Sequence, residues 1–334
     1  MLKRKVIGIL LGITVFLLLV NSVVEQFTRK EIPPVLPGYS VAEAEEVLFS
    51  VINSFGIQPD WIKVVNKKFH GQDSLKHAIN ISIPRDLPIP VIIKDMRDDY
   101  PDSLLLVTKE IKKYGNTSVN LFRGEIQLLN LNYEYKDDLV RPYCSLAFVM
   151  NPLETLDEEI MNRIIRNNFP FSISFVPSFA NETEIQKLAG LDKGYVILLN
   201  DDIQDNLFKL TTSSSSKRLK NAVESIINSF GSNRIYFIDD KSDIFRSTSI
   251  NFIKDEFRKK GITLYPFSTL VNLSEKDQNE IASLIKFYCS SSPADTTINI
   301  RMNIDDFLAL ESEIGVYKKK GHEVRLINLE RSSN

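Results

Sequence analysis

The sequence predicts an α/β fold: a parallel sheet or barrel in the carboxyl-terminal half, preceded by a small α+β domain and an amino-terminal transmembrane helix. Three observations predict it. Beyond Asp138, apolar runs of about five or six residues alternate with amphipathic helical patterns, as in parallel strands joined by helices. Ahead of that point, alternating strand patterns are mixed with helical ones. At the start, a basic cluster is followed by a long uncharged apolar stretch.

The apolar stretch over residues 6–24 has roughly the ~20 residues that a helix needs to cross a bilayer. The basic residues at positions 3 to 5 precede it, and positive charge ahead of a span favours a cytoplasmic amino terminus. We therefore expect a cytoplasmic tail over 1–5, an uncleaved signal-anchor over 6–24 and a globular part on the extracytoplasmic side. A cleaved signal peptide is the alternative, although no Ala-x-Ala pattern precedes Glu25.

Residues 25–38 contain three prolines and no regular pattern, which predicts a stiff stalk. Residues 39–137 are predicted to form the small α+β domain, with helices packed on one antiparallel sheet. Its first helix begins after Ser40, which forms a capping-box pattern with Glu43. The other predicted elements are strands Trp61–Val65 and Ala78–Ile83, helix Val91–Tyr100, and strands Leu104–Thr108, Ser118–Phe122 and Glu125–Leu131. No motif in this domain points to a reaction.

Residues 143–331 carry the repeated strand and helix pattern of the larger domain. Seven strands are predicted there: Ser145–Met150, Phe171–Val176, Tyr195–Leu199, Arg234–Ile238, Ile262–Pro266, Thr296–Ile300 and Glu323–Leu329. In a parallel sheet the carboxyl ends of the strands meet at one edge, where ligands and catalytic groups collect.

Charge and cysteine content exclude several classes of protein. A formal net charge of -2 gives no broad attraction to nucleic acid, so no nucleic-acid partner is expected. The two cysteines, Cys144 and Cys289, lie far apart in sequence and do not make a disulfide framework. We expect both to be buried free thiols.

The larger domain resembles a known family in the pattern and order of its segments, over roughly Tyr143 to Leu329. The segments that carry the resemblance are Pro170–Pro177, Lys193–Leu199, Arg234–Asp239 and Lys260–Leu264, with Ile83–Pro90 in the region ahead of the barrel. They are similar to the divergent polysaccharide deacetylases, relatives of the NodB-homology enzymes. The resemblance implies an incomplete (β/α)7 barrel and a role in carbohydrate metabolism of the cell envelope.

The resemblance also implies a divalent metal held by an aspartate and histidines, with a second aspartate as base and a histidine as acid. In this chain, most positions of the expected metal ligands and of the expected acid and base hold other residue types. Asn151 stands where an aspartate pair is expected, and Arg301 lies where a histidine is expected. Asp239 alone keeps a matching position, so we expect no metal, no cofactor and no catalytic residue. The three histidines are interpreted as exposed or loop residues: His70, His77 and His322.

A binding site rebuilt from other polar side chains is still possible at the barrel mouth. The candidate ligand-binding residues at the carboxyl ends of predicted strands are Asn151, Asn200, Asp239, Asp240 and Arg301, with Asp201, Asp202 and Arg246 beside them. Amides, carboxylates and arginines are suited to sugar hydroxyls or to an acidic glycan. Adjacent acidic residues at strand ends are also ordinary turn and cap residues, which is the alternative interpretation.

The sequence therefore leaves three functional hypotheses open. The first is a membrane-anchored, catalytically degenerate deacetylase-like protein that binds envelope glycan or a protein partner. The second is an active glycan hydrolase with a rebuilt site near Asp239, with facing carboxylates as glycosidases require. The third is a structural or assembly protein of the cell envelope that works through the small domain.

Overall fold

The computed structural model describes residues 39–66, 77–111, 115–141, 143–152, 158–188 and 191–329. The predicted signal-anchor over 6–24 and the stalk over 25–38 lie outside this part of the chain. Within it, no helix has the length and apolar character that crossing a membrane requires. Contacts divide the chain into two compact units, Met1–Val140 and Arg141–Asn334.

The first unit packs two helices on a five-stranded sheet of order β1-β2-β5-β4-β3. Its elements are α1 (Val41–Ser54), β1 (Ile62–Asn66), β2 (His77–Pro84), α2 (Ile89–Asp99), β3 (Leu105–Glu110), β4 (Thr117–Arg123) and β5 (Ile126–Lys136). The prediction of an antiparallel sheet is wrong for one pair of strands, since β2 and β5 pair in parallel. The helix α2 carries the chain across the sheet after β2, so β3 and then β5 run in the direction of β2.

The first helix shows how local sequence sets up this unit. The Ser40 side chain accepts a hydrogen bond from the Glu43 amide, and the Glu43 carboxylate accepts one from the Ser40 amide at 2.6 Å, which forms the predicted capping box. The helix then buries Ala44, Leu48 and its neighbours at helical spacing against the sheet.

The second unit contains an eight-stranded sheet in which every neighbouring pair is parallel, in the order β10-β9-β8-β7-β6-β12-β11 with β13 also on β6. Its strands are β6 (Ser145–Met150), β7 (Phe171–Phe175), β8 (Lys193–Leu199), β9 (Tyr236–Ile238), β10 (Leu264–Pro266), β11 (Val271–Asn272), β12 (Thr297–Met302) and β13 (Glu323–Arg325). Among the described residues β10 and β11 are not paired with each other, so the sheet does not close.

Helices follow most of these strands, as the sequence pattern predicts. They are α3 (Glu158–Arg166), α4 (Asn181–Leu188), α5 (Ser216–Phe230), α6 (Asp243–Arg246), α7 (Ile250–Lys259), α8 (Gln278–Ser291), α9 (Ile304–Ala309) and α10 (Glu311–Lys320). The described part of the second unit has eight strands where seven were predicted, because β11 is only two residues long and gives no readable sequence pattern.

The sheet of the second unit buries both faces. In β6, Phe148 and Met150 join the large cluster beneath the helices, whereas Ala147 and Val149 join a smaller cluster on the other face. The predicted last strand Glu323–Leu329 is too long, since pairing ends at Arg325.

The segment after β13 leaves the ladder and covers the second face of the sheet. Ile327 and Leu329 pack there with residues of β6, β8 and β9 and with Phe267 and Leu270. These residues form a second, smaller core on the face of the sheet opposite the large cluster.

Candidate functional site

The predicted site residues lie at one edge of the sheet of the second unit. Asn151 follows β6, Asn200 follows β8, and Asp239 with Asp240 follows β9, while Arg301 is the penultimate residue of β12. Because the strands are parallel, these residues share the carboxyl end of the sheet, which we call the mouth. The contacts below divide them into three groups.

Arg301 lies at the centre of the first group. Its guanidinium carbon is 4.5 Å from the centre of the Phe267 ring, a cation–π contact that fixes the plane of the side chain. Burial lowers the pKa of the Arg301 guanidinium, and the carboxylates of Asp239, Asp240 and Glu275 oppose this by raising it. One cation thus interacts electrostatically with three carboxylates.

Two polar atoms of β12 have no hydrogen-bond partner among the described residues. They are Nε of Arg301 and Oδ1 of Asn299, and both atoms are buried. Residues two apart in a strand share a face, so the two atoms lie on the same side of β12. Buried polar groups are nearly always satisfied in native proteins, so we expect water or a ligand group to complete the hydrogen bonds of these two atoms.

The two aspartates after β9 hold loops. Asp239 accepts a hydrogen bond from the Lys241 amide at 3.0 Å. Asp240 accepts one from the Ser268 amide at 2.7 Å and one from the Ser268 hydroxyl at 3.0 Å. Ser268 belongs to the turn between β10 and β11, so Asp240 fastens that turn to the end of β9.

Asn151 belongs to a second group that joins three loops. Its amide Nδ2 donates to the Ser274 hydroxyl at 2.7 Å and to Oδ1 of Asn303 at 3.0 Å. Asn303 in turn donates to the Ser274 carbonyl at 3.0 Å. The amide of Asn151 therefore links the segments after β6, β11 and β12.

Asn200 forms a turn of its own. Its Nδ2 donates to Asp202 at 2.8 Å, and its Oδ1 accepts from the Asp202 amide at 3.1 Å. Asp201 accepts from the Asp243 amide at 2.7 Å, at the start of α6. Asn200, Asp201 and Asp202 thus behave as turn and cap residues, which was the alternative interpretation of the acidic pairs.

A different cluster, which sequence reasoning did not find, lies at the opposite end of the sheet. Cys144 precedes β6, Cys289 lies in the last turn of α8, and His322 follows α10. Their ligand atoms all lie within 4.8 Å of one another, and among the described residues this is the one group of three or more histidine, cysteine or acidic side chains so arranged. It contains none of the mouth residues.

The burial of this cluster confirms one expectation and corrects another. Both cysteines are buried free thiols, as predicted. His322 was expected to be an exposed or loop residue. It lies in the loop between α10 and β13, but it is only 4% exposed, because it packs between the rings of Tyr143 and Tyr317. The Cys289 thiol donates a hydrogen bond that lowers the pKa of Cys144, and the His322 imidazole lowers it further against the opposing effect of burial. The same interaction, together with burial, raises the pKa of Cys289.

Comparisons with known proteins give no family assignment. No family model matches the chain, and no curated protein matches it.

Solved structures of polysaccharide deacetylases are similar to the chain. The catalytic domain of a peptidoglycan N-acetylglucosamine deacetylase from Eubacterium rectale is 10% identical over 58% of this chain and 93% of that chain, with a TM-score of 0.39. A family 4 carbohydrate esterase from Streptomyces lividans is 14% identical over 57% and 95%, with a TM-score of 0.36. A CE4 family pseudoenzyme from Bacillus anthracis is 9% identical over 72% and 93%, also with a TM-score of 0.36. They belong to the family that the residue pattern resembles.

Proposed function

We propose that the chain is a membrane-held, extracytoplasmic protein that binds a neutral N-acetylated envelope glycan at its mouth and does not hydrolyse it. The observation that carries this proposal is the Arg301 group. Its guanidinium lies over Phe267 in the electrostatic field of Asp239 and Asp240, and its Nε lacks a protein partner among the described residues.

The charges at the mouth decide which glycan suits it. The Arg301 guanidinium interacts electrostatically with three carboxylates, and this excess of negative charge disfavours an acidic glycan. The hydroxyl and N-acetyl groups of a neutral glycan offer hydrogen-bond donors to the carboxylates and acceptors to the guanidinium. Among glycans, the resemblance to polysaccharide deacetylases favours an N-acetylated one.

Two observations support binding without turnover. Deacetylation of the family's type needs a cation that activates water and polarises the acetyl carbonyl. Among the described residues, no mouth side chain belongs to a three-ligand group. Asp239 and Asp240 accept hydrogen bonds from the main chain of two loops, so both act as structural acceptors.

Binding of an N-acetylglucosamine oligomer to the purified full chain tests the proposal. Replacing Arg301 with glutamine removes a charged donor, and the expected loss is roughly 10- to 100-fold in affinity, since hydrogen bonds to charged groups contribute about 1.5–3 kcal/mol. Arg258→Gln is the matched control, because Arg258 lies exposed on α7 and pairs with Asp255. Equal binding by wild type and Arg301→Gln would contradict the proposed site.

Release of acetate measured in the same samples separates the binding protein from an active hydrolase. We expect none from wild type, with or without added zinc. Turnover that is lost in Asp239→Asn and retained in Asp255→Asn would support the rebuilt active site instead.

The membrane location rests on the sequence. The basic cluster ahead of residues 6–24 supports a retained signal-anchor with an extracytoplasmic globular part. Protease protection of the full chain in intact cells tests it. We expect protease added outside to cleave the globular part while the membrane is intact. Cleavage only after the membrane is lysed would contradict this orientation.

The assembly function is a second candidate, favoured by the edge of the first unit. Strand β3 is the outermost strand of its sheet and exposes the apolar side chains of Leu105 and Val107. Exposed apolar edge strands are templates for pairing with another chain. In-cell crosslinking of the double variant Leu105→Lys, Val107→Lys tests it, with Leu207→Lys, an exposed leucine of the second unit, as the control. Loss of a partner from the double variant alone would support this function over glycan binding.

A further inference from the structure

Three segments distant in sequence converge at the end of the sheet opposite the mouth. Cys144 is fixed by the start of β6, Cys289 by α8 and His322 by the junction of α10 with β13. Gly321 makes this junction possible, since it ends α10 with a φ of 118°, in the left-handed region. The His322 amide then donates to the Tyr317 carbonyl at 3.0 Å, which sets the position of the histidine.

The spacing of the donor atoms fits a tetrahedral metal. Bond lengths of about 2.3 Å to sulfur and about 2.0 Å to nitrogen place neighbouring tetrahedral donors roughly 3.5 Å apart. Sγ of Cys144 and Nδ1 of His322 are 3.4 Å apart, and all three ligand atoms lie within 4.8 Å of one another. A small adjustment of side chains is enough to bring them to one ion.

The surroundings hold the ligands in place before a metal binds. Cys144, Cys289 and His322 are 1%, 9% and 4% exposed. The centre of the His322 ring lies 4.7 Å from that of Tyr143, with the two planes tilted by 36°, and the ring meets Tyr317 edge-on at 5.7 Å. Nδ1 of His322 is also 3.0 Å from the Cys144 carbonyl oxygen, so this nitrogen gives up its contact with that carbonyl when it binds a metal.

The set of donors selects the metal. Two thiolates and a neutral imidazole suit soft or borderline cations, whereas calcium and magnesium prefer oxygen ligands. With a divalent ion the two thiolates give a neutral complex, which can be buried without an unpaired charge. Zinc is the common ion with this preference for sulfur and nitrogen in tetrahedral geometry.

A cavity adjoins the cluster and leaves room for a fourth ligand. Its volume is about 340 Å³, and both Cys289 and His322 line it. Lys286, Lys320 and Glu313 also line it, so charges of both signs lie around the cavity. Three protein ligands with one position open to solvent is the arrangement in which zinc holds a water molecule.

We propose that Cys144, Cys289 and His322 bind one zinc ion, with water from the adjoining cavity as the fourth ligand. The site lies at the opposite end of the sheet from the mouth, so it is independent of the family's metal position and of glycan binding. It ties the start of β6 to α8 and to the segment that leads into β13.

The full chain, purified under reducing conditions, tests the site directly. We expect one zinc per chain by elemental analysis. With cobalt in place of zinc, we expect the intense visible bands of a tetrahedral ion and a thiolate-to-metal charge-transfer band. Cys144→Ser, Cys289→Ser and His322→Gln should each lower zinc affinity at least about tenfold, the minimum that even supporting residues of zinc sites show. His77→Gln is the matched control, because His77 lies in the first unit and pairs with Glu45.

A measurement on wild type alone covers the case in which a variant fails to fold. Zinc should protect Cys144 and Cys289 from alkylation, and a chelator should restore their reaction. Absence of bound metal, a cobalt spectrum without the charge-transfer band, or alkylation unaffected by zinc would each overturn the proposal. A Cys144–Cys289 disulfide in protein isolated from cells without reductant would also overturn it and identify a redox pair instead.

Discussion

Replacing Ile327 with alanine tests whether the segment after β13 fills the inner face of the sheet. Ile327 is 8% exposed and packs in the cluster with Val149 and Phe237. Buried isoleucine-to-alanine changes cost about 2–5 kcal/mol, and the slight exposure of Ile327 favours a value of about 3 kcal/mol. For a unit of this size each kcal/mol lowers the melting temperature by roughly 2–4 °C, so we expect a decrease of about 6–12 °C.

Urea denaturation and calorimetry measure this loss. Leu326→Ala is the control, because the adjacent Leu326 is 38% exposed and should cost about 1 kcal/mol or less. The comparison separates inward packing from a general effect of shortening the segment. Equal losses at the two positions, or a loss below about 1 kcal/mol for Ile327→Ala, would show that the segment does not pack against the inner face.

Three further changes probe single features of the fold. Ser40→Ala removes the capping box of α1 and should cost about 1 kcal/mol in thermal denaturation, whereas Ser40→Gly should cost a few tenths. Gly321→Ala places Cβ 2.9 Å from Arg141 Nε at a φ of 118°, so it should lower both stability and zinc affinity. Phe307→Ala should cost about 3–5 kcal/mol, while Phe287→Ala, at a residue 61% exposed, should change stability by less than about 0.5 kcal/mol.

Each of these has an outcome that contradicts it. Equal melting temperatures for Ser40→Ala and wild type would mean that the cap does not stabilise α1. Unchanged zinc affinity in a folded Gly321→Ala protein would separate the turn from the position of His322. A loss below about 2 kcal/mol for Phe307→Ala would contradict its packing between Phe148 and Phe171, whose ring centres lie 5.1 and 4.9 Å from its own.

Local patterns were sufficient to predict the elements that bury continuous or alternating apolar runs. The strand Ser145–Met150 was predicted residue for residue, because both of its faces are buried and the whole run is apolar apart from its first residue. The capping box at Ser40 gave the start of α1. The two residues of β11 carry no such pattern, since their pairing depends on where β12 lies. The parallel pairing of β2 with β5 is likewise a consequence of topology.

The candidate site shows a sharper limit of sequence reasoning. The placement of Asp239 and Asp240 at the end of a strand was predictable, but their use as loop acceptors depends on where Lys241 and Ser268 lie in space. Asp240 is a predicted candidate ligand-binding residue, and in the structure it holds the turn after β10 through the Ser268 amide and hydroxyl. Sequence position alone cannot distinguish a ligand-binding carboxylate from one that a nearby amide already occupies.

The cysteine and histidine cluster was missed for a related reason. Zinc motifs are read from short spacings between ligands, and Cys144, Cys289 and His322 come from three separate segments. The available clue was compositional. The sequence of the second unit contains two cysteines and one histidine, and all three come together in the structure.

The proposed zinc site bears on the stability of the second unit. Among the described residues the sheet does not close. An ion that joins β6, α8 and the start of β13 would therefore stabilise the end of the sheet opposite the mouth. Loss of zinc should therefore lower the melting temperature of the second unit while glycan affinity at the mouth, measured below that temperature, stays unchanged.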